Sequence, residues 1–359
     1  MVPRIRAKAG KRRDEGGESP EVAGVRLSIL ERVLPRVSVV MPVLNEERHL
    51  ADSVRMVLDQ DWTGELELVL ALGPSTDATD AVAAGLAAGD PRVRTVPNPS
   101  GRTPDGLNAA IDAASGDVIA RVDAHAEIPT DYLSSAVAVL EETGADNVGG
   151  IMDAVGVSDL ERAVACAMKS PLGVGGARFH TGGGAGEADT VYLGVFRREA
   201  LERVGGYDPH FERAQDWEMN HRIRATGGLV WFTPDLRVTY RPRSTLRALA
   251  DQYRGYGRWR RVVAREHPGT ANARYLAPPA MVLGTLAATA LGVAWRPAWL
   301  VPAGYAAAVG VGGWLISSRE PSAVRARVPV VIATMHWAWG IGFLTSPRRL
   351  AKGVSTGPR

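Results

Sequence analysis

The chain has 359 residues, 45% of them hydrophobic and 23% charged, with 42 Lys and Arg against 39 Asp and Glu for a formal net charge of +3. That balance is too mild to argue for nucleic acid, and no zinc finger, basic zipper or related motif accompanies it. The single cysteine, Cys166, rules out an intramolecular disulfide or a cysteine metal cluster and reads as a packing residue.

Residues 1–35 open with a basic cluster from Arg4 to Arg13 and continue through Gly, Glu, Ser and Pro without an apolar run, so no signal peptide is readable there. The segment reads as a solvated tail, or as a weak electrostatic contact for anionic lipid headgroups. From Arg36 the pattern changes. Val37 to Met41 is a buried-strand pattern stopped by Pro42, and Glu46 to Gln60 has helical period. The strand-to-helix unit recurs as Leu66–Ala71 with Asp77–Ala88, Val93–Val96 with Thr103–Ala114, and Asp117–Val122 with Thr130–Glu142. This alternation predicts an α/β domain over residues 36–235, with a parallel sheet covered on both faces. Ligands of such sheets bind beyond the carboxyl ends of the strands, which places the chemistry in the turns 42–47, 73–77 and 123–127. Gly173 to Gly186 reads as a mobile loop, and Asp216 to Thr226 as a short helix ended by Gly227.

Residues 237–265 hold nine arginines against one acid, Asp251, so the basic amphipathic segment 236–273 should face anionic headgroups or a phosphate-bearing ligand. The 21 uncharged residues between Arg274 and Arg296 would reach about 31 Å as a helix, the thickness of a bilayer core. Uncharged stretches follow at Pro297–Ser318 and Val328–Pro347. Residues 274–347 are therefore expected to form two to three helical membrane segments, one of them re-entrant or interfacial, before a basic tail at 348–359. The positive-inside tendency places the large domain in the cytoplasm, on a multi-pass protein of the cytoplasmic membrane.

Four segments combine into a resemblance: Val37–Glu47 (VSVVMPVLNEE), Ser75–Thr79 (STDAT), Gly116–Ala126 (GDVIARVDAHA) and Arg213–Arg224 (RAQDWEMNHRIR). Together they resemble family 2 glycosyltransferases, and the succinoglycan-type glucosyltransferases in particular through Gly101–Ile111, Thr190–Arg198 and Tyr256–Trp259. The resemblance covers roughly residues 36–265. It implies a GT-A (nucleotide-diphospho-sugar transferase) domain with C-terminal transmembrane helices, which moves a hexose from a nucleotide-diphospho-sugar donor to a polyprenyl-linked lipid acceptor. A polyprenyl-phosphate monosaccharide synthase and a non-catalytic membrane scaffold are the alternatives.

Asp123 and His125 stand at i and i+2 where a strand ends, a spacing that in extended chain turns both side chains to one face and toward one divalent cation, Mn²⁺ or Mg²⁺. They match the family's Asp-x-Asp position with histidine third. The resemblance makes Asp216 the catalytic base of an inverting transfer, a residue that could otherwise cap the following helix. It assigns Pro42, Asn45 and Glu46 to the donor, with Asp77 and Arg102 as further donor-site candidates and Asn108 as a brace. Arg121 either contacts the diphosphate or pairs with a structural carboxylate. Gln252, Tyr256, Arg258 and Trp259 resemble a degenerate Gln-x-x-Arg-Trp signature beside diphosphate and acceptor, Trp259 being equally suited to membrane-interface anchoring. His180, Arg197 and Arg198 flank the glycine-rich loop and are expected to meet the acceptor phosphate or to close over the donor. The acidic residue that members commonly carry after the second strand is replaced by Ala71, Leu72 and Gly73, so the nucleobase is left open.

Overall fold

Val37, Val39, Val40, Met41 and Val43 are all buried, so β1 (Val37–Val43) is covered on both faces and reads as a continuous apolar run rather than an alternation. The structure, a computed structural model, describes residues 34–351; the basic cluster from Arg4 to Arg13 and the tail beyond 351 lie outside the described residues. After β1 come α1 (Leu50–Leu58), β2 (Leu66–Leu72), α2 (Thr79–Gly89), β3 (Val93–Pro97), α3 (Thr103–Ala113), β4 (Val118–Arg121) and α4 (Tyr132–Thr143), each near its expected place. The first strand runs one residue past Pro42. Its pairing with β4 ends where Val40 faces Arg121, so Pro42 sits where β1 has lost that neighbour and a residue without an N–H is tolerated.

The second half departs from the all-parallel expectation. It comprises β5 (Asn147–Ala154), α5 (Asp159–Met168), the single turns α6 (Pro171–Val174) and α7 (Arg178–Thr181), β6 (Gly186–Glu187), β7 (Tyr192–Arg197), α8 (Arg198–Val204), α9 (Gln215–Ala225) and β8 (Val230–Tyr240). The sheet has the order β3-β2-β1-β4-β7-β5-β8-β6, with β1 parallel to β2 and β4, but β7 antiparallel to both β4 and β5. The sheet is therefore mixed. The reversed β7 carries the chain to the edge opposite the carboxyl ends of β1 and β4. The domain boundary expected at 235/236 falls inside β8, which pairs with β5 as far as Tyr240.

Four helices follow: α10 (Leu246–Glu266), α11 (Ala273–Leu291), α12 (Leu300–Ile316) and α13 (Ser322–Leu344). Thr245 caps α10, its hydroxyl accepting from Ala248 N at 3.2 Å. A Cβ on Gly257 of α10 would lie 2.0 Å from the Trp339 carbonyl, and one on Gly342 of α13 would lie 2.2 Å from the Arg254 carbonyl, so glycine lets these two backbones touch. Helix α13 buries Val324, Val328, Val331, Ile332 and Met335 in one cluster with Ala163, Val164 and Met168 of α5 and with Leu249 and Tyr253 of α10. The third expected membrane segment is thus largely a packing helix of the folded unit. Helix α11, expected to span, carries Pro278 and Pro279 inside it; among the described residues, Arg296–Ile316 alone is long and apolar enough to cross a membrane, with 11% of it buried. Leu283, Leu286, Leu300, Val301, Val311 and Leu315 on α11 and α12 are exposed.

Candidate active site

The carboxyl ends of β1 and β4 open into a cavity of about 1220 Å³. Two loops at this edge are tied together before any ligand arrives. Asn45, at φ 55°, accepts from Thr76 N at 2.8 Å through its side chain, and its own N–H donates to Ser75 Oγ at 3.0 Å. Asp77 accepts from Thr79 N at 3.1 Å and from Glu47 N at 3.3 Å, which holds its carboxyl below the usual range, the Thr79 hydroxyl being the largest cause. Pro42, Glu46 and Arg102 line the cavity. Asn45 and Asp77 do not; the Asn45 amide oxygen and the Asp77 carboxylate are engaged at the loop junction.

Residues 123–126 form a tight turn rather than extended chain, closed by Ala126 N donating to Asp123 O at 2.8 Å. The extended-chain reason for pairing Asp123 with His125 is therefore replaced by this turn, which buries Ala124 and leaves both side chains on the cavity wall. His125 Nδ1 lies 2.8 Å from Glu46 Oε1, and this bond raises the imidazole's pKa. Among the described residues no group of three or more His, Cys, Asp or Glu side chains is placed to hold a metal ion by itself. The carboxylate of Asp123 and the imidazole of His125 fit Mn²⁺ or Mg²⁺ in ligand chemistry, and would leave the rest of the ion's shell to donor oxygens and water.

Arg121 is 5% exposed and joins the two acids. Its Nε and Nη2 donate to Asp123 Oδ1 at 3.0 and 2.9 Å, and its Nη1 donates to Asp216 Oδ1. Of the two roles open to Arg121 from sequence, the carboxylate pairing is the one seen. Asp216 sits in the first turn of α9, yet Ala214 is the N-cap residue and receives no side-chain cap bond, so Asp216 is turned to the cavity instead of capping. Burial raises the Asp216 pKa; Asp123 adds to the effect and Arg121 opposes it.

The acceptor-side expectations divide by helical geometry. Gln252 and Tyr256 line the cavity, and Gln252 donates to Tyr240 Oη at 2.9 Å. Arg258 and Trp259 are corrections: neither lines it, and Trp259 packs with Phe211, Val262 and Val263. Position 260 lies four residues after Tyr256 and returns to the cavity face, so Arg260 is the residue that the sequence reading missed and the i, i+4 spacing could have found. Arg213, Arg243, Arg274 and Tyr275 also line it. Arg197 and Arg198 are likewise corrected. Carried to the far edge by β7, Arg197 donates to the carbonyls of Ala145 and Leu140 at 3.0 and 2.7 Å, and Arg198 to that of Gly116 at 2.6 Å. Asn108 grips Tyr207, donating to its carbonyl at 2.7 Å and accepting from its N–H at 2.8 Å, away from the cavity. His180 does line the cavity, and burial, aided by Arg274, pushes its pKa down to about 3.

The family model described as glycosyl transferase family 2 matches residues 38–205. The succinoglycan biosynthesis protein ExoA of Rhizobium meliloti is 34% identical over 310 residues, covering 85% of this chain and 93% of that protein. The chain belongs to glycosyl transferase family 2. A dolichyl N-acetyl-α-D-glucosaminyl phosphate 3-β-D-2,3-diacetamido-2,3-dideoxy-β-D-glucuronosyltransferase of Methanococcus voltae is 24% identical over 89% of this chain and 98% of its own length. The mannosyltransferase PcManGT of Pyrobaculum calidifontis, solved with GDP-Man and Mn²⁺, has the same fold, with a TM-score of 0.59 at 20% identity and 87% of each chain covered. The enzyme is a glycosyltransferase with a GT-A fold. The family model spans Asp123 and His125 and ends before Asp216 and before α10 to α13.

Proposed function

We propose that the enzyme transfers a hexose, with inversion, from a nucleotide-diphospho-sugar to a polyprenyl-linked saccharide during envelope or exopolysaccharide assembly. One observation carries the reading: a single cavity joins Asp123, His125 and Asp216 to an apolar wall made by Pro278, Met281, Tyr305, Val309, Met335 and Trp339. A sugar donor needs only the first part of that space, while a lipid-carried acceptor needs both. The ExoA relative's part in succinoglycan biosynthesis agrees with polysaccharide assembly, and the dolichyl-linked substrate named for the Methanococcus voltae relative agrees with this acceptor class.

In this reading Asp216 takes the proton of the acceptor hydroxyl, for which its raised pKa suits it. Arg121 holds that carboxylate at a fixed distance from Asp123. Asp123 and His125 would hold Mn²⁺ or Mg²⁺, whose charge would offset that building on the departing diphosphate. Pro42, Glu46 and Arg102 line the donor end, with Asn45 and Asp77 fixing the loops behind it. The exposed apolar residues of α11 and α12, with Trp314 near the end of α12, seat the enzyme in the membrane, and the arginine-rich α10 faces the cytoplasmic headgroups.

The test is incubation of the purified enzyme and Mn²⁺ with a panel of labelled nucleotide sugars and membrane lipid extract. Label should enter the lipid fraction with at least one donor, and failure with every donor would sink the proposal. The intact mass of the product separates the readings: two phosphates and further sugars support an oligosaccharide acceptor, whereas one phosphate and one sugar mean a polyprenyl-phosphate monosaccharide synthase.

A further inference from the structure

Arg260 is 5% exposed, and its guanidinium carbon lies over two rings, 4.0 Å from the Trp217 centroid and 3.6 Å from that of Tyr275. Nη2 donates to the Thr270 carbonyl, but Nε and Nη1 are buried without a hydrogen-bond partner. Among the described residues neither Arg260 nor Arg274 has a carboxylate within ion-pair distance; Asp189, which acts on Arg260 at longer range, lies 3.9 Å from Arg224. Burial pulls the Arg260 pKa down to about 10, with Arg274 adding to the effect, so Arg260 remains charged at neutral pH. Both arginines and His180, whose Nδ1 is also buried and unpartnered, face the same cavity.

A buried cation with free donors and no acid beside it is costly to maintain and calls for an anion. Its planar fork, fixed by two rings, suits phosphate oxygens better than a point charge would. The position also matters. Arg274 and Tyr275 begin α11, whose Pro278 and Met281 continue the apolar wall, so the charge stands where a lipid headgroup would meet its chain.

We propose that Arg260 and Arg274 form an anion subsite for the phosphate or diphosphate that joins the acceptor glycan to its lipid, apart from the donor diphosphate at Asp123. The assignment deepens the lipid-acceptor reading above and rests on it.

Calorimetric titration of the full chain, with EDTA present to silence the metal-dependent donor site, tests it with geranyl diphosphate, geraniol and inorganic pyrophosphate. Geranyl diphosphate should bind most tightly. Arg260→Gln and, separately, the more accessible Arg274→Gln should each weaken it on the order of tenfold to a hundredfold, the loss expected for hydrogen bonds to a charged group. Geraniol should bind weakly and alike to all three proteins. With Mn²⁺ restored, the donor dissociation constant should stay within about twofold. A purely structural Arg260 would instead lower the melting temperature of Arg260→Gln and leave Arg274→Gln with unchanged affinity, which overturns the subsite. Loss of donor affinity in step with geranyl diphosphate would also overturn it. Inorganic pyrophosphate binding as tightly as geranyl diphosphate would overturn the lipid headgroup as the source of the anion. If geranyl diphosphate binds through Arg260 while no labelled lipid forms with any donor, the subsite stands and the transfer reading falls.

Discussion

Replacing Arg121 with Met removes a cation held between two carboxylates and keeps most of the side chain's volume. Its side chain is 6% exposed, against 20% for Asp123 and 33% for Asp216, so the charge lost is better shielded from water than those left behind. Breaking a buried pair costs about 3–5 kcal/mol, and with both acids partly solvated we place this case near the lower end, about 3 kcal/mol at pH 7. For a unit of this size that is a fall of roughly 4–5 °C in Tm. The Asp216 pKa is already raised by burial and by Asp123, with Arg121 opposing; without the opposing charge it rises further. The acid limb of kcat then moves to higher pH, and the stability deficit shrinks at low pH, where protonated carboxylates no longer repel. Urea unfolding at pH 7 and pH 5 and a kcat–pH profile measure both. An unchanged Tm together with an unmoved acid limb would refute the bridging role of Arg121.

The wild-type kcat at saturating donor and metal should fall as pH drops through the Asp216 pKa, and that limb should lie above the ordinary aspartate value because burial raises it; a limb at or below that value speaks against Asp216 as the titrating base. Glu218, with a side chain 2% exposed, bonds Arg222 Nε at 2.7 Å and faces His267 Nε2 at 3.4 Å. Burial alone would raise its pKa, yet bonds from His267 and Arg222 outweigh it and lower the value. Glu218→Ala should cost about 3 kcal/mol in urea unfolding near neutral pH. Glu218's contribution is present above its unfolded value and lost as pH falls through the lower folded value, so the mutant deficit should fade in acid.

The sequence made the first four strand-helix units legible because each is local: a buried run, a turn, and an apolar period of 3.6. The reversal at β7 was not legible, since Tyr192–Arg197 is a short buried run in either direction and only pairing with β4 and β5 sets its sense. That reversal misplaced Arg197 and Arg198. At the site, motif context singled out Asp123, His125 and Asp216, which line one cavity, whereas the turn at 123–126 and the Arg121 bridge depend on tertiary packing. Arg258 and Trp259 were misread through a signature quoted as a string, whereas the helix presents Gln252, Tyr256 and Arg260 on one face. Lack of charge marked α11 and α13 as spans, but α13 spends much of its apolar surface on α5 and α10.

The central claim is a division of labour across one cavity, with Asp123 serving the donor and Asp216 the acceptor proton. Calorimetry of donor binding with Mn²⁺, run beside turnover for Asp216→Asn and Asp123→Ala, tests it most directly. Asp216→Asn should bind donor nearly as wild type while kcat falls about 10²–10⁴-fold, and Asp123→Ala should lose metal-dependent donor affinity. Equal loss of donor binding in both variants would contradict the claim.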